Sequence, residues 1–175
     1  MTNLLKNGNA FTIRKAIMED SENVISYVKK IVQESDNLTF EKDEFNPTVT
    51  AEREFIESIN KSTNQCFLIA VLNNKIIGNL SISNIDRARI KHSAELSITV
   101  LKDYWNQGVA SNLMAEFIQW LKTTNLTKIN LTVKEDNIYA IKLYEKFGFV
   151  KEGVITREFF IDGKYYNSIF MGLQI

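Results

Sequence analysis

The first half of the chain carries apolar side chains with two different periods. Residues 11–16 follow the two-residue period of a strand, after a short stretch that we expect to be frayed. From about residue 19 the apolar positions return every three or four residues, which is the helical period. Residues 51–60 repeat the helical pattern, with Thr50 as a candidate N-cap. One strand and two helices are therefore predicted, with a polar loop over residues 37–48 between the helices.

The middle of the chain is predicted to form strands. Residues 66–72 and 76–86 are joined through Asn73-Asn74, residue types that tolerate the positive φ of a tight hairpin turn. We expect these two strands to be antiparallel. Residues 94–101 alternate between apolar side chains on one face and Glu, Ser and Thr on the other.

The rest of the chain alternates helices with strands. A helical pattern over residues 109–122 is followed by a strand over 128–133 and a helix over 138–147. The segment 149–175 is predicted to be two strands around the Asp-Gly turn signal at 162–163. The order β-α-α-β-β-β-α-β-α-β-β defines an α/β (α+β) fold.

Composition narrows the class of protein. A chain of 175 residues, 45% of them hydrophobic, can bury one core, so residues 1–175 are expected to form a single domain. The 21 Lys and Arg residues balance the 21 Asp and Glu residues, so the overall basic charge of a nucleic-acid or membrane binder is missing. No apolar run reaches transmembrane length. We therefore expect a cytoplasmic protein without nucleic-acid or membrane partners.

The single cysteine and the single histidine exclude a Cys/His zinc site and give no support for a hydrolase site. Cys66 and His92 cannot build a Cys/His zinc site within one chain, so no metal is expected. Cys66 begins an apolar strand, where a small buried hydrophobe is the ordinary role. His92 lies in a polar stretch without a hydrolase motif, which favours an exposed loop residue.

The turn between the strand at 94–101 and the following helix is a candidate anion site. It consists of Asn106, Gln107, Gly108, Val109, Ala110 and Ser111. Amide N–H groups at a helix N-terminus lie at the positive end of the helix dipole and can hold an anion. Gly108 permits a close approach of the backbone to a ligand. A strand-to-helix turn also needs a glycine for structural reasons alone, so this signal is weak by itself.

A second segment places a polar group and a phenol on one helix face. Asn137 and Tyr144 lie seven residues apart, so they share a face of the predicted helix. Ala140 or Ile141 lies between them on that face. A capping asparagine and a core-facing aromatic residue would produce the same spacing, and periodicity alone leaves both interpretations open.

Together the two segments resemble the signature motifs of the GNAT superfamily of acyl-CoA N-acyltransferases. The matching residues are Asn106-Gln107-Gly108-Val109-Ala110 and Asn137-x-x-Ala140-x-x-Leu143-Tyr144-x-x-Phe147-Gly148-Phe149. Trp105 stands where the family motif has Gln or Arg, a departure that leaves a backbone-amide site intact. The resemblance extends over most of the chain, and the Tyr-Trp-Asn-x-Gly form is similar to ribosomal-protein N-terminal and polyamine acetyltransferases. It implies a mixed, mostly antiparallel central sheet flanked by helices.

The resemblance also implies how a cofactor would bind. Amides of residues 106–111 would bind the pyrophosphate of acetyl-CoA. The backbone of Ile98, Thr99 and Val100 would pair with the pantetheine arm like an additional strand. Most of the expected contacts are therefore made by backbone groups.

At the reactive end, the resemblance implies an acid and a base. Asn137 would hydrogen-bond the cofactor there, with Ala140 in the same cofactor-binding set. Tyr144 would lie beside the sulfur and protonate the departing thiolate. An alkyl ammonium must lose a proton before it attacks a thioester, and Glu95 is the candidate base, because the family often has a glutamate there. An edge glutamate that only aids solubility explains Glu95 equally well.

In this fold the acceptor site is generally walled by the loop between the first two helices and by the final hairpin. The loop carries Glu41, Asp43 and Glu44 beside Lys42, which predicts an acidic wall that attracts a cationic amine, although acidic loops are commonly only solvated. The final hairpin carries aromatic residues that either add a wall or pack: Phe159, Phe160, Tyr165 and Tyr166.

The leading hypothesis is an N-acetyltransferase that moves acetyl from acetyl-CoA directly to a primary amine of a small molecule or a peptide N-terminus. Acetyl-CoA is the expected acyl-donor cosubstrate, and a homodimer is the expected assembly. The alternative is a non-catalytic acyl-CoA-binding module, which would keep the glycine turn and dispense with an acid and a base. Glu95 and Tyr144 favour catalysis.

Overall fold

The computed structural model describes residues 2–41 and 43–175 of the chain. The strands are β1 (Thr2–Leu4), β2 (Ala10–Lys15), β3 (Cys66–Leu72), β4 (Lys75–Asn84), β5 (Ser93–Val100), β6 (Lys128–Lys134), β7 (Val150–Ile161) and β8 (Lys164–Gln174). The helices are α1 (Ser21–Glu34), α2 (Val49–Lys61), α3 (Val109–Leu121) and α4 (Ile138–Lys146). The predicted order is confirmed, except that the expected frayed start is wrong, because β1 pairs with β2.

The eight strands form one sheet in the order β1-β2-β3-β4-β5-β6-β8-β7. Neighbouring strands are antiparallel except for β5 and β6, which are parallel and are connected through α3, as a parallel pair requires a crossover. The expected mixed, mostly antiparallel sheet is confirmed. No helix in the described part of the chain is long and apolar enough to cross a membrane.

Short polar side chains set two local boundaries. Asn73 and Asn74 have φ angles of 49° and 61°, and the predicted antiparallel hairpin between β3 and β4 is confirmed. The expected cap of α2 at Thr50 is wrong. Thr48 is the N-cap instead, because its Oγ1 accepts a hydrogen bond from the Ala51 amide at 3.1 Å.

The sheet separates two hydrophobic clusters. On one face, α3 and α4 contribute Leu113, Phe117 and Ile141. On the other face, α1 and α2 contribute Ile31 and Ile56. Neighbouring residues of β3 belong to different clusters, because alternate residues of a strand point to opposite faces.

The lone cysteine and the lone histidine lie where the sequence predicted them. Cys66 is buried in the cluster beneath α3, and burial raises the pKa of its thiol to about 11. His92 is exposed in the turn before β5. Both predictions are confirmed.

One glycine sets the distance between α3 and the sheet. A Cβ atom on Gly78 of β4 would lie 3.0 Å from Val109 Cγ1 and 3.2 Å from the Thr99 carbonyl oxygen. Since Val109 is the first residue of α3, the missing side chain lets the first turn of the helix lie directly on the sheet.

Candidate active site

Strands β5 and β6 pair over a short stretch and then diverge. The paired residues are Ser93 with Lys128, Ala94 with Ile129, and Glu95 with Asn130. Beyond these pairs a cavity of about 1130 Å³ opens, with walls from β5, the first turn of α3, β6, α4 and the loop after α1. The divergence therefore leaves one edge of β5 open in the middle of the sheet.

The open edge of β5 presents backbone groups to the cavity. The Leu101 amide donates to the Ile77 carbonyl at 3.0 Å, which fixes the alternation of this antiparallel pair. By that alternation, the N–H and C=O groups of Ile98 and Val100 face the cavity. Those of Thr99 face β4, and Thr99 also lines the cavity.

The turn before α3 presents a row of amide groups to the same cavity. Gly108 is the N-cap residue. Its φ of 91° is a backbone conformation that would be strained in a residue with a side chain. Within the described part of the chain, the N–H groups of residues 108–111 have no hydrogen-bond acceptor, as expected for the first turn of a helix. Asn106 and residues 108–111 line the cavity.

Two side chains of the turn contact the protein itself. The indole Nε1 of Trp105 donates to the Val100 carbonyl at 2.7 Å, so the residue at the family's Gln/Arg position ties the turn to β5. Gln107 does not line the cavity, and its buried Oε1 has no partner among the described residues. The cofactor-binding residues predicted in this turn therefore all line the cavity, except Gln107.

These groups fit an acyl-CoA. Unpaired amides at the positive end of α3 suit a diphosphate. The open edge of β5 suits an extended chain that carries amide groups, which can add to the sheet like a strand. Among the described residues, no group of three or more His, Cys, Asp or Glu side chains could hold a metal ion.

Tyr144 combines a buried ring with an available hydroxyl. The residue is 6% exposed, and its ring packs on Phe149 with centroids 5.8 Å apart. Among the described residues its hydroxyl has no hydrogen-bond partner, and Tyr144 lines the cavity. Burial raises the pKa of the phenol well above its usual value. The side chain therefore packs in the core and also offers a protonated hydroxyl to a ligand.

Asn137 caps α4 and lines the cavity as well. Its Oδ1 accepts a hydrogen bond from the Ala140 amide at 3.3 Å, which is the capping role that the spacing allowed. The cap engages the side-chain oxygen, so the Nδ2 group remains to donate to a ligand. Ala140 also lines the cavity, whereas Ile141 packs into the core.

Glu95 belongs to the last residue pair between β5 and β6, at the point where the two strands begin to diverge. Its side chain is exposed and points away from the α3 face, because its neighbours Ala94 and Leu96 pack beneath α3. Ser83 pairs with Glu95 from β4 and Asn130 pairs with it from β6. No local motif in the sequence marks either neighbour, and only the strand register brings them to Glu95.

A buried hydrogen-bond chain holds Thr99 from the α1 face of the sheet, the face to which Glu95 also points. The Tyr27 hydroxyl of α1 donates to Thr99 Oγ1 at 2.8 Å, and Thr99 donates to Asn79 Oδ1 at 2.6 Å. Burial raises the pKa of Tyr27 above its usual value. This hydrogen-bond chain holds the C-terminal end of β5 against α1.

The expected acidic wall is not found. The loop lines the cavity through residues 37–40, whereas Glu41, Asp43 and Glu44 are exposed and lie outside the wall. Lys42 lies outside the described residues.

The aromatic residues of the final hairpin also lie outside the cavity wall, and they pack. The Phe160 ring packs on the Tyr165 ring at an interplanar angle of 42°, with centroids 4.8 Å apart, and the Lys134 ammonium lies 3.9 Å from the centre of the Tyr166 ring. Phe159 is buried. Of the two roles considered for these residues, packing is the one that the structure supports.

The arrangement of an open strand edge, a helix N-terminus and a buried phenol defines a class of acyl-CoA site, and comparison with known proteins agrees with it. Residues 30–149 match the acetyltransferase (GNAT) family, and the chain therefore belongs to that family. The predicted family and its fold are confirmed.

Three known proteins show how similar this chain is to individual members of the family. It is 37% identical over 108 residues to the L-amino acid N-acetyltransferase AaaT of Escherichia coli strain K12, a match that spans 59% of this chain and 65% of that relative. It is 27% identical over 166 residues to an N-alpha-acetyltransferase of Saccharolobus solfataricus, covering 90% of both chains. A GNAT-family acetyltransferase structure from Streptococcus pneumoniae superposes with a TM-score of 0.91 at 33% identity, covering 94% of this chain and 99% of that one.

Proposed function

We propose that this protein transfers acetyl from acetyl-CoA directly to a primary amine of a small molecule or a peptide N-terminus. The observation that carries the proposal is the cavity between β5 and β6. It brings unpaired helix amides, the Tyr144 phenol and the Glu95 carboxylate to one space. Membership of the GNAT family supports acetyl-CoA as the acyl donor.

The cofactor side of the cavity is assigned to backbone groups and α4. The amides of residues 108–111 hold the diphosphate, aided by Asn106. Ile98 and Val100 pair through their backbone with the pantetheine arm. Asn137 donates from Nδ2 near the reactive end, where Ala140 leaves room. Bound acetyl-CoA supplies a thioester carbonyl that an amine can attack.

Glu95 and Tyr144 are assigned the proton transfers. Glu95 accepts the proton of the acceptor ammonium, directly or through water, because an alkyl ammonium is mostly charged at neutral pH. The new C–N bond then forms as the C–S bond breaks. Tyr144 donates its proton to the leaving thiolate, the attacking nitrogen loses its second proton to solvent, and the Tyr144 phenolate takes a proton back from solvent.

The names of the relatives support an amine acceptor of either kind. AaaT is named for L-amino acids, and the Saccharolobus solfataricus relative is named for α-amino groups. We assign the same class of acceptor to this chain, an unblocked primary amine.

A panel of amines with acetyl-CoA tests the function. We expect free thiol to appear with n-butylamine, spermidine, an L-amino acid or an alanine-initiated peptide, together with an acetylated product by mass spectrometry. Without amine, thiol release should remain at the background rate. Tight acetyl-CoA binding with no thiol release for any amine would instead identify an acyl-CoA-binding module.

We further propose that residues 1–175 act as one domain, in the cytoplasm, as a homodimer. Strand β7 lies at the edge of the sheet and exposes Val150, Val154 and Phe160, which supports an interface there. An acetyl donor made inside the cell supports the location. Sedimentation of the parent and of Val154→Lys tests the dimer, which the charged residue should dissociate.

A further inference from the structure

The indole of Trp105 lies at one end of the open edge of β5. Its Nε1 donates to the Val100 carbonyl oxygen at 2.7 Å, and Trp105 lines the cavity. By the alternation of β5, that carbonyl points away from β4, to the side on which the start of β5 pairs with β6. The indole N–H therefore binds a carbonyl that otherwise faces the cavity without a partner.

This hydrogen bond defines where the open edge ends. An outward-facing residue of an edge strand offers an N–H and a C=O to the next strand. Ile98 offers both groups, whereas the Val100 carbonyl already has a donor in Trp105. Val100 is also the last residue of β5. An extended ligand that pairs with this edge is therefore expected to leave it at the Val100 amide.

The same bond connects the strand edge to the turn that carries the helix amides. The Trp105 amide donates to the Lys102 carbonyl at 3.1 Å, and its side chain returns to β5. Residues 106–108 follow directly, and α3 begins at Val109. Trp105 is 43% exposed, so packing restrains its ring only in part. The hydrogen bond is thus a direct tie between the edge of β5 and the start of the turn.

We propose that Trp105 is a positioning residue, whose indole N–H closes the end of the open edge of β5 and fixes the spacing between that edge and the amides of residues 108–111. The inference rests on the proposed binding of acetyl-CoA. This molecule joins an amide-bearing arm to a diphosphate, and it gains the full affinity of both subsites only when their spacing matches its own length. Trp105 then contributes to the affinity for the whole molecule and not to the affinity for either half.

Variants at position 105 separate the indole N–H from the ring. Trp105→Phe keeps an aromatic ring and removes the donor. Trp105→Gln removes the ring and keeps a donor, since the Nε2 of Gln is as many bonds from Cβ as the indole Nε1. Trp105→Met matches Gln in size and has no donor. Trp120→Phe is the control for the loss of an indole, because Trp120 does not line the cavity.

Calorimetry with acetyl-CoA and NMR titrations with ADP and S-acetylpantetheine, which stand for its two halves, test the proposal. Loss of one hydrogen bond should raise the Kd for acetyl-CoA about three- to tenfold in Trp105→Phe and Trp105→Met. In Trp105→Gln and Trp120→Phe that Kd should stay within about twofold of the parent value. The Kd for ADP and the Kd for S-acetylpantetheine should change less than about twofold in every variant, because each half uses one subsite.

Three results would overturn the inference. An unchanged Kd for acetyl-CoA in Trp105→Phe and Trp105→Met would show that the N–H does not affect binding. Equally weak binding by Trp105→Gln and Trp105→Met would assign the effect to the ring. A parallel loss of affinity for ADP or S-acetylpantetheine would show that Trp105 serves that half and does not set the spacing.

The titrations need no turnover, so they separate this inference from the proposed function. If the parent binds acetyl-CoA and acetylates no amine, the proposed function fails and the Kd comparison still decides the role of Trp105. If the parent acetylates amines and the Kd values do not differ, the inference fails and acetyl transfer stands. A parent that does not bind acetyl-CoA contradicts both.

The hydrogen bond itself can be followed in the bound protein. The chain has two tryptophans, so Trp120→Phe assigns the indole N–H signal of Trp105. That N–H should exchange slowly with solvent both without and with acetyl-CoA, because the ligand leaves the edge at the Val100 amide. Faster exchange on binding would show that acetyl-CoA displaces the indole from the carbonyl, and it would overturn the inference.

Discussion

The two sides of the cavity are built in different ways. On the proposed cofactor side, the available groups are backbone amides of consecutive residues 108–111 and the open edge of β5. On the proposed acceptor side, the polar groups beside the cavity are the side chains of Ser83, Glu95 and Asn130, which come from three strands. Backbone groups persist through most substitutions, whereas a side-chain group is lost with one. Acceptor choice can therefore change by single substitutions while acyl-CoA binding is retained.

Tyr144→Phe tests one of the side chains assigned to the cofactor side. Tyr144→Phe keeps the ring and its packing on Phe149, so the melting temperature should change little. Removal of a general acid should lower kcat by ~10²- to 10⁴-fold, with acetyl-CoA affinity nearly retained. Stopped-flow turnover and calorimetric binding measure the two quantities. Normal turnover in a destabilised mutant would show that Tyr144 only packs.

A negative charge in the first turn of α3 should weaken the binding of acetyl-CoA without changing the acceptor side of the cavity. Ser111 has a helical backbone and lines the cavity, and an acidic residue at a helix N-terminus does not destabilise the helix. Like-charge repulsion at ~6 Å and an effective dielectric constant of about 20 costs about 3 kcal/mol, so Ser111→Glu should weaken acetyl-CoA binding about a hundredfold. Ser111→Gln is the neutral control of equal size. Calorimetry that finds equal affinities for the two variants would contradict the assignment. Gly108→Glu is a poorer test, because a side chain at a φ of 91° adds strain.

Substitution of Glu95 tests the acceptor side of the cavity in the same way. Glu95→Gln should leave acetyl-CoA affinity unchanged and lower kcat about tenfold at neutral pH, since water partly replaces an exposed base. Activity should recover at alkaline pH, where more of the amine is already neutral. The pH-rate profile is the measurement, and a profile that overlays that of the parent would assign the base to another group.

A smaller effect concerns stability in alkali. Burial raises the pKa of both Tyr27 and Tyr144 in the folded protein, so above about pH 10 the unfolded chain loses phenolic protons that the folded protein retains. Folding stability from these groups is fully present below that pH and declines as the pH rises. Urea denaturation between about pH 9 and 11 should show this decline, and Tyr144→Phe or Tyr27→Phe should each flatten it. Equal slopes in parent and mutants would contradict the buried state of the phenols.

The sequence predicted the cofactor side better than the acceptor side, for a physical reason. The turn at 106–111 and the helix with Asn137 and Tyr144 are local patterns, and local patterns determine which backbone groups a helix N-terminus leaves unpaired. Asn130 carries no such signal, because its place beside Glu95 depends on the register between two strands that are distant in sequence.

The same limit explains the two expectations that failed near the first helices. The acidic residues of the loop after α1 are predicted in the cavity wall because this loop generally walls the acceptor site in the fold, but neither the family resemblance nor charge determines which part of the loop faces inward. Thr50 and Thr48 are chemically equivalent caps, and only the observed hydrogen bond from Ala51 distinguishes them.

Gly78 lies in β4, outside the turn before α3, but it determines how close that turn lies to the sheet. A methyl group there would meet Val109 Cγ1 at 3.0 Å, and a shift of α3 by a few tenths of an ångström would relieve the contact. Such a shift moves the amides of residues 108–111 relative to the edge of β5 and alters none of them. Under the proposed function, a substitution at position 78 would therefore change how the helix amides meet the cofactor, with every proposed ligand-contacting residue unchanged.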